Sequence, residues 1–195
     1  MKNVFKSSLL TLFLTLLLLS VASNVKSVNA DPTIRYVPTE YATIQAAVNA
    51  SNDGDTVYVY NGTYHEWKIN VTKSICLVGQ SKTTTIIEGD PETGPIIKIE
   101  ASNVNISGFT IQESKTGIYL YYSNSSSVND NIIITNVIGG GGGYIGSSTG
   151  ILLDCSYRNT ICENYLKNNF NGIKLSHSHN NTIVNNVVTS NCSET

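Results

Sequence analysis

The sequence contains few charged residues, few prolines and almost no helical pattern. Charged residues make up 13% of the 195 residues, and the chain has four prolines, four cysteines and one tryptophan. No stretch after Ala30 is apolar enough to cross a bilayer. Only TEYATIQAAVNA, from Thr39 to Ala50, spaces its apolar residues as an amphipathic helix does. We therefore predict a domain with little helix and no membrane span.

Basic residues are scarce, and this limits the kinds of molecule that the chain is expected to bind. The chain has 12 Lys and Arg against 14 Asp and Glu, and Lys2, Lys6 and Lys26 precede Ala30. Without those three, nine basic residues face 14 acidic ones, a net charge near −5. Nucleic-acid binding needs a basic footprint, so no nucleic-acid partner is expected. A surface rich in Asn, Ser, Thr and Tyr suits polysaccharide or other neutral polar partners better.

Residues 1–30 have the pattern of a secretory signal peptide. A positive region at Lys2 and Lys6 precedes the apolar run Leu9–Leu19, and Val28-Asn29-Ala30 fits a small-residue cleavage site. The run is short for a span of about 20 residues, although a retained signal anchor is the alternative. We predict cleavage after Ala30, a secreted or cell-surface location, and a single domain over residues 31–195.

A 22-residue pattern between Gly150 and Asn191 indicates the fold. GILLDCSYRNTICENYLKNN is followed in register by GIKLSHSHNNTIVNNVVTSN. This period is too short for two helices and suits one coil of a strand solenoid. Ile151 and Leu153 would point to the same side of a strand, and Asn164 and Asn186 could stack on neighbouring coils. We predict an all-β, single-stranded right-handed parallel β-helix, with glycines at bends and the 39–50 helix covering the first coil.

The preceding coil matches this repeat only with insertions. Its first half matches the next coil at an offset of 33 residues, and its second half at an offset of 28, from Asn131 paired with Asn159. We therefore expect five extra residues around 124–130 and six around the five glycines at 139–143. Insertions in repeat proteins lie in loops, often on the binding face. The glycine run is either a loop without function or a mobile lip beside a groove.

Two stretches resemble known β-helix families. ATIQAAVNASNDGDTVYVYNGTYHE and KSICLVGQSKTTTIIEG, within Ala42–Gly89, resemble the opening of pectin methylesterases and related pectin-lyase-like proteins. NVNISGFTI (Asn103–Ile111) and the later NTI repeats resemble the NosD-like family, which includes periplasmic copper-associated proteins and many archaeal and bacterial surface proteins. The resemblance implies the fold, which enzymes and non-enzymes share.

No catalytic residue is assigned. The GD…QDT and LGRPW contexts that carry catalysis in pectin methylesterases do not occur, and Asp154 is expected to be a solvated side chain. The favoured function is a non-catalytic exported module that binds glycans or envelope partners. The alternatives are the N-terminal part of a carbohydrate-active enzyme, such as a pectin esterase or polysaccharide lyase, and a copper- or zinc-binding NosD-like module. The chain stops partway into a coil, so further coils or domains are expected beyond residue 195.

Two constellations are candidate binding sites. Cys155 precedes His177 by one period, so the two should be neighbours on adjacent coils, with His179 close by. No cofactor is otherwise expected, but a thiolate and two imidazoles suit copper or zinc; exposed loop histidines are the alternative. Tyr119, Tyr121 and Tyr122 could stack on sugar rings, although tyrosine is also an ordinary strand residue.

Sequons and cysteines complete the candidate sites. The Asn-x-Ser/Thr pattern, which a chain this rich in Asn, Ser and Thr also forms by chance, marks these glycosylation candidates: Asn49, Asn61, Asn70, Asn105, Asn124, Asn180 and Asn191. Cys76 is expected in the core. A disulfide among Cys155, Cys162 and Cys192 is left open.

Overall fold

The protein is a parallel β-helix, in which the chain visits three sheets in turn. The computed structural model describes residues 31–90, 94–134 and 148–189. All the strand pairs between coils are parallel, as predicted, and the sheets run the length of the solenoid. The predicted signal peptide, the glycine run at 139–143, Asn191 and Cys192 lie outside the described residues.

Each sheet takes one strand from successive coils. Sheet 1 contains β1 (Ile34–Val37), β2 (Thr56–Val59), β5 (Cys76–Gly79), β8 (Asn105–Ser107), β11 (Ser127–Asn129), β14 (Thr160–Cys162) and β17 (Thr182–Val184). Sheet 2 contains β3 (Gly62–His65), β6 (Thr85–Glu88), β9 (Thr110–Gln112), β12 (Ile132–Ile134), β15 (Tyr165–Lys167) and β18 (Val187–Thr189). Sheet 3 contains β4 (Ile69–Val71), β7 (Pro95–Ile99), β10 (Thr116–Tyr121), β13 (Thr149–Asp154) and β16 (Asn171–Ser176).

Alternation along each strand places like residues in one interior column. Ile118 pairs with Ile151, and Ile151 pairs with Ile173, so isoleucines stack from coil to coil. Leu153 and Ile161 are completely buried, as the repeat predicted. Because successive side chains point to opposite faces, Asp154 and the other intervening residues of these strands face outward.

The N-terminal end of the solenoid is covered by helix α1 (Ile44–Ala50), as predicted. The Thr43 side chain caps it by accepting a hydrogen bond from the Ala46 N–H at 3.1 Å. Ile44, Ala47 and Val48 are buried towards the first coil. The helix is shorter than the predicted 39–50 segment, because residues 38–40 form a turn after β1, a strand that was not predicted.

The coil formed by β11, β12 and β13 contains one insertion rather than the two that were predicted. Ser127 pairs with Thr160 and Ile132 with Tyr165, both at an offset of 33, whereas Thr149 pairs with Asn171 at an offset of 22. All 11 extra residues therefore lie between Ile134 and Thr149. The predicted five-residue insertion around 124–130 is wrong.

The physical reason for this error is that both turns of a coil use the same side-chain chemistry. Asn159 and Asn164 are five residues apart, and each is followed two residues later by a buried apolar residue. An alignment that slips by five residues therefore still matches. The Asn131 N–H donates to Asn164 Oδ1 at 3.1 Å, so Asn131 pairs with Asn164 and not with Asn159.

The two turns are held by ladders of buried polar side chains. The Asn164 N–H donates to Asn186 Oδ1 at 3.0 Å, which confirms the predicted stacking of these amides. The same geometry recurs where the Asn159 N–H donates to Asn181 Oδ1 at 2.8 Å. Each amide satisfies backbone groups that the turn leaves without a strand partner.

A bend was predicted at Gly150, but close packing is what requires a glycine there. It lies inside β13, and a Cβ there would come within 2.7 Å of both Gly172 O and Leu166 Cδ2. The prediction that Cys76 lies in the core is wrong, because Cys76 is half-buried and its neighbour Leu77 occupies the core. Cys76, Cys155 and Cys162 each have a free thiol.

Candidate functional site

Three successive coils place a candidate site residue at the same corner, directly after a strand of sheet 3. Tyr122, Cys155 and His177 follow β10, β13 and β16, and their φ angles are 51°, 48° and 48°. The Tyr122 N–H donates to Asp154 O, and the Cys155 N–H donates to Ser176 O, both at 3.1 Å. A residue in the left-handed backbone conformation follows each strand, so the three side chains lie in one column. We call it the corner column (Tyr122, Cys155, His177).

Asp154 joins this column from the outer face of sheet 3. One ligand atom each from Asp154, Cys155 and His177 lies within 4.8 Å of the other two, the one such trio of metal-ligand type in the described part of the chain. Asp154 Oδ1 is 3.7 Å from His177 Nδ1, and Asp154 Oδ2 accepts a 3.3 Å hydrogen bond from the Tyr119 hydroxyl. The Asp154 side chain is 29% exposed and that of His177 is 82% exposed. Asp154 faces outward as predicted, but it has defined partners.

The structure brings together two of the three residues predicted as metal ligands. Cys155 and His177 meet, but His179, two residues further along the same connection between β16 and β17, packs its ring on Tyr157 with the centroids 4.2 Å apart. Ser178 separates the two histidines, and its hydroxyl donates to Ser176 O at 2.8 Å. The alternation of side chains along β13 could have identified Asp154 as a third candidate ligand. Leu153 points inward, so the next residue, Asp154, faces outward beside Cys155.

The three predicted ligand-binding tyrosines lie together on and beside the outer face of sheet 3. The ring centroids of Tyr119 and Tyr121 are 5.5 Å apart, and those of Tyr121 and Tyr122 are 4.6 Å apart with the rings nearly perpendicular. Lys98 Nζ lies 4.9 Å from the centroid of the Tyr121 ring. Tyr122 is 60% exposed, whereas Tyr119 and Tyr121 are half-buried. We call Tyr119, Tyr121 and Tyr122 the tyrosine face.

Neighbouring groups raise the pKa of Tyr119 and that of Tyr122. Burial and the neighbouring Asp154 carboxylate raise the pKa of Tyr119 to about 12. A hydrogen bond to the Cys155 thiol raises the pKa of Tyr122. Both hydroxyls are therefore hydrogen-bond donors at neutral pH.

The sequons differ in accessibility. Asn49, Asn61 and Asn180 are exposed, whereas Asn70, Asn105 and Asn124 are half-buried, and Asn191 lies outside the described residues. Asn124 Oδ1 accepts a hydrogen bond from the Tyr157 N–H at 2.8 Å, so its amide holds a turn. No helix within residues 31–90, 94–134 and 148–189 is long and apolar enough to cross a membrane.

Comparison with known proteins identifies the family. Residues 32–194 match the family model described as a right handed beta helix region. The chain is 34% identical over 169 residues to a protein named "Cell surface glycoprotein" from Methanothermus fervidus; the match covers 86% of this chain and 27% of that relative, so the chain spans about a quarter of its length.

Two solved structures are similar at low identity. One is a pectin methylesterase variant in complex with a hexasaccharide (12% identity, TM-score 0.49, covering 71% of this chain and 55% of that one). The other is a pectin methylesterase from carrot (13% identity, TM-score 0.47, covering 82% and 64%). The family match also agrees with the predicted hand of the solenoid. This chain belongs to the right-handed β-helix family.

Proposed function

We propose that this chain is a non-catalytic, exported cell-surface β-helix module that binds glycans on its tyrosine face. The relative named as a cell surface glycoprotein supports the location, since the match extends over 86% of this chain. The observation that carries the binding proposal is the contact of three tyrosine rings on one face. In the next coil, Leu152 and Asp154 occupy the positions of Tyr119 and Tyr121, so the aromatic face is confined to one coil.

The chemistry of the tyrosine face is suited to a sugar ring. A pyranose has an apolar face of C–H groups and a rim of hydroxyls. The exposed ring of Tyr122 offers apolar contact area. Lys98 and Asp154 lie beside the rings and offer a cationic donor and a carboxylate acceptor for the rim. The remaining surface of the chain has few charges, which suits a neutral ligand.

The test is a binding titration with neutral and acidic oligosaccharides. For an oligosaccharide that binds, Tyr122→Ala and Tyr121→Ala should each raise the dissociation constant by about 10-fold, equivalent to about 1.4 kcal/mol. The matched control is Tyr58→Ala, because Tyr58 also packs edge-on against a neighbouring ring, 5.3 Å from Tyr60, but on sheet 1. The proposal fails if no oligosaccharide binds, or if the Tyr58 variant loses as much affinity. Binding to isolated envelopes without glycan binding would replace the glycan with an envelope partner.

We also propose that the exposed sequons carry glycans. Asn61 and Asn180 are exposed, while the Asn124 amide is used inside the fold. Peptide mass spectrometry of the protein isolated from its native cells should find modification at Asn61 and Asn180 ahead of Asn124. Unmodified peptides at every sequon would refute this.

A further inference from the structure

We propose that Asp154, Cys155 and His177 form a zinc-binding site, which we call the corner site. This proposal goes beyond glycan binding, and its ligands share only Asp154 with the groups proposed to contact the sugar. The three residues offer a carboxylate oxygen, a sulfur and an imidazole nitrogen within 4.8 Å of one another. These are the three ligand types that zinc takes from proteins.

The distances require only a small contraction. Tetrahedral zinc with bonds of about 2.0–2.3 Å holds its ligand atoms about 3.3–3.8 Å apart. Asp154 Oδ1 and His177 Nδ1 already lie 3.7 Å apart. The His177 side chain is 82% exposed, so its ring can turn towards a metal without displacing core residues.

A neighbouring hydroxyl holds the carboxylate ligand in place. The Tyr119 hydroxyl donates to Asp154 Oδ2, which leaves Oδ1 directed towards His177. Such outer contacts fix the rotamers of metal ligands and tune affinity. Ser176 Oγ lies 3.1 Å from His177 Nδ1, a contact that a metal bound at Nδ1 would replace.

The donor set discriminates among metals. Calcium and magnesium require six or more oxygen ligands, and the corner site has a single carboxylate. A thiolate combined with imidazole and carboxylate suits zinc, and three protein ligands leave a fourth position for water or an external ligand.

The experiment titrates the full chain, without affinity histidines and under a thiol reductant, with Zn²⁺ in competition with a chromophoric chelator. We expect one Zn²⁺ per chain. Cys155→Ser and His177→Ala should each weaken binding by about 100-fold or more, since even the loss of an outer-shell partner costs 10- to 100-fold. Co²⁺ should give a thiolate charge-transfer band that Cys155→Ser abolishes.

Two matched controls lie in the same coils. Cys162→Ser removes a different free thiol, and His179→Ala removes the histidine outside the trio. Both should bind Zn²⁺ as the unmodified chain does. The proposal is overturned if the chain retains no Zn²⁺ against a chelator of micromolar affinity, if Cys155→Ser binds normally, or if either control loses the metal. Glycan titrations in excess chelator separate failure of this site from failure of the tyrosine face.

Discussion

Replacement of Asn164 by alanine should be far more damaging than the loss of one polar side chain on a surface. Asn164 is 1% exposed, and its amide serves both neighbouring coils. Nδ2 donates to Val128 O at 2.8 Å, Cys162 O at 3.0 Å and Asn186 Oδ1 at 3.0 Å. Oδ1 accepts from both the N–H and the Nδ2 of Asn131 at 3.1 Å.

The magnitude follows from the groups that lose their partner. In Asn164→Ala the buried Asn131 N–H has no acceptor and Val128 O loses a donor from the amide. A buried group left unsatisfied costs about 1–3 kcal/mol, so the free energy of unfolding should fall by about 4 kcal/mol. Asn186 makes equivalent bonds one coil later, to Ile161 O and Val184 O, but it is half-buried. Water can replace its bonds, so Asn186→Ala should cost about 1 kcal/mol.

The assay is equilibrium urea unfolding followed by circular dichroism, with amide hydrogen exchange as a local measurement. The exchange protection of the Asn131 N–H should be lost in Asn164→Ala and retained in Asn186→Ala. Equal costs for the two substitutions, or continued protection of Asn131 in the Asn164 variant, would refute the argument that burial of the ladder sets its contribution.

Three further predictions concern packing and ionisation. Gly150→Ala should lower the free energy of unfolding by about 1–3 kcal/mol, because the new Cβ would meet Gly172 O at 2.7 Å; an unchanged urea midpoint would contradict this. Burial raises the pKa of Asp55, but backbone N–H donors and a guanidinium outweigh it, so the folded pKa is lowered. The stabilisation is therefore present above the unfolded pKa of about 3.9 and is lost as the pH falls through the folded pKa. Asp55→Asn should be less stable at pH 7 and should approach the unmodified chain in acid, and a stability difference independent of pH would refute this. Burial and the neighbouring Glu163 raise the pKa of Cys162, so a variant with this single thiol should react slowly with a disulfide reagent near pH 8. Glu163→Gln should speed that reaction, and an unchanged rate would show that the charge has no effect.

Sequence patterns alone determined the solenoid, because its repeat is written in local chemistry. Ile151 and Leu153 are two residues apart and both point inward, and Asn164 lies one period before Asn186. Strand geometry and the constant period together predict stacked coils. The covering helix also followed from its apolar spacing. These features depend on residues close in sequence or related by a constant period.

Register and the candidate site were decided only by the tertiary structure. Asn131 matches Asn159 and Asn164 equally well as a pattern, and only strand pairing shows that the extra residues follow Ile134. The left-handed φ at Cys155 and His177 is a backbone property that no sequence pattern specified. That geometry aims both side chains at Asp154 and leaves His179 against Tyr157, because side-chain direction at a corner depends on the turn and not on sequence spacing.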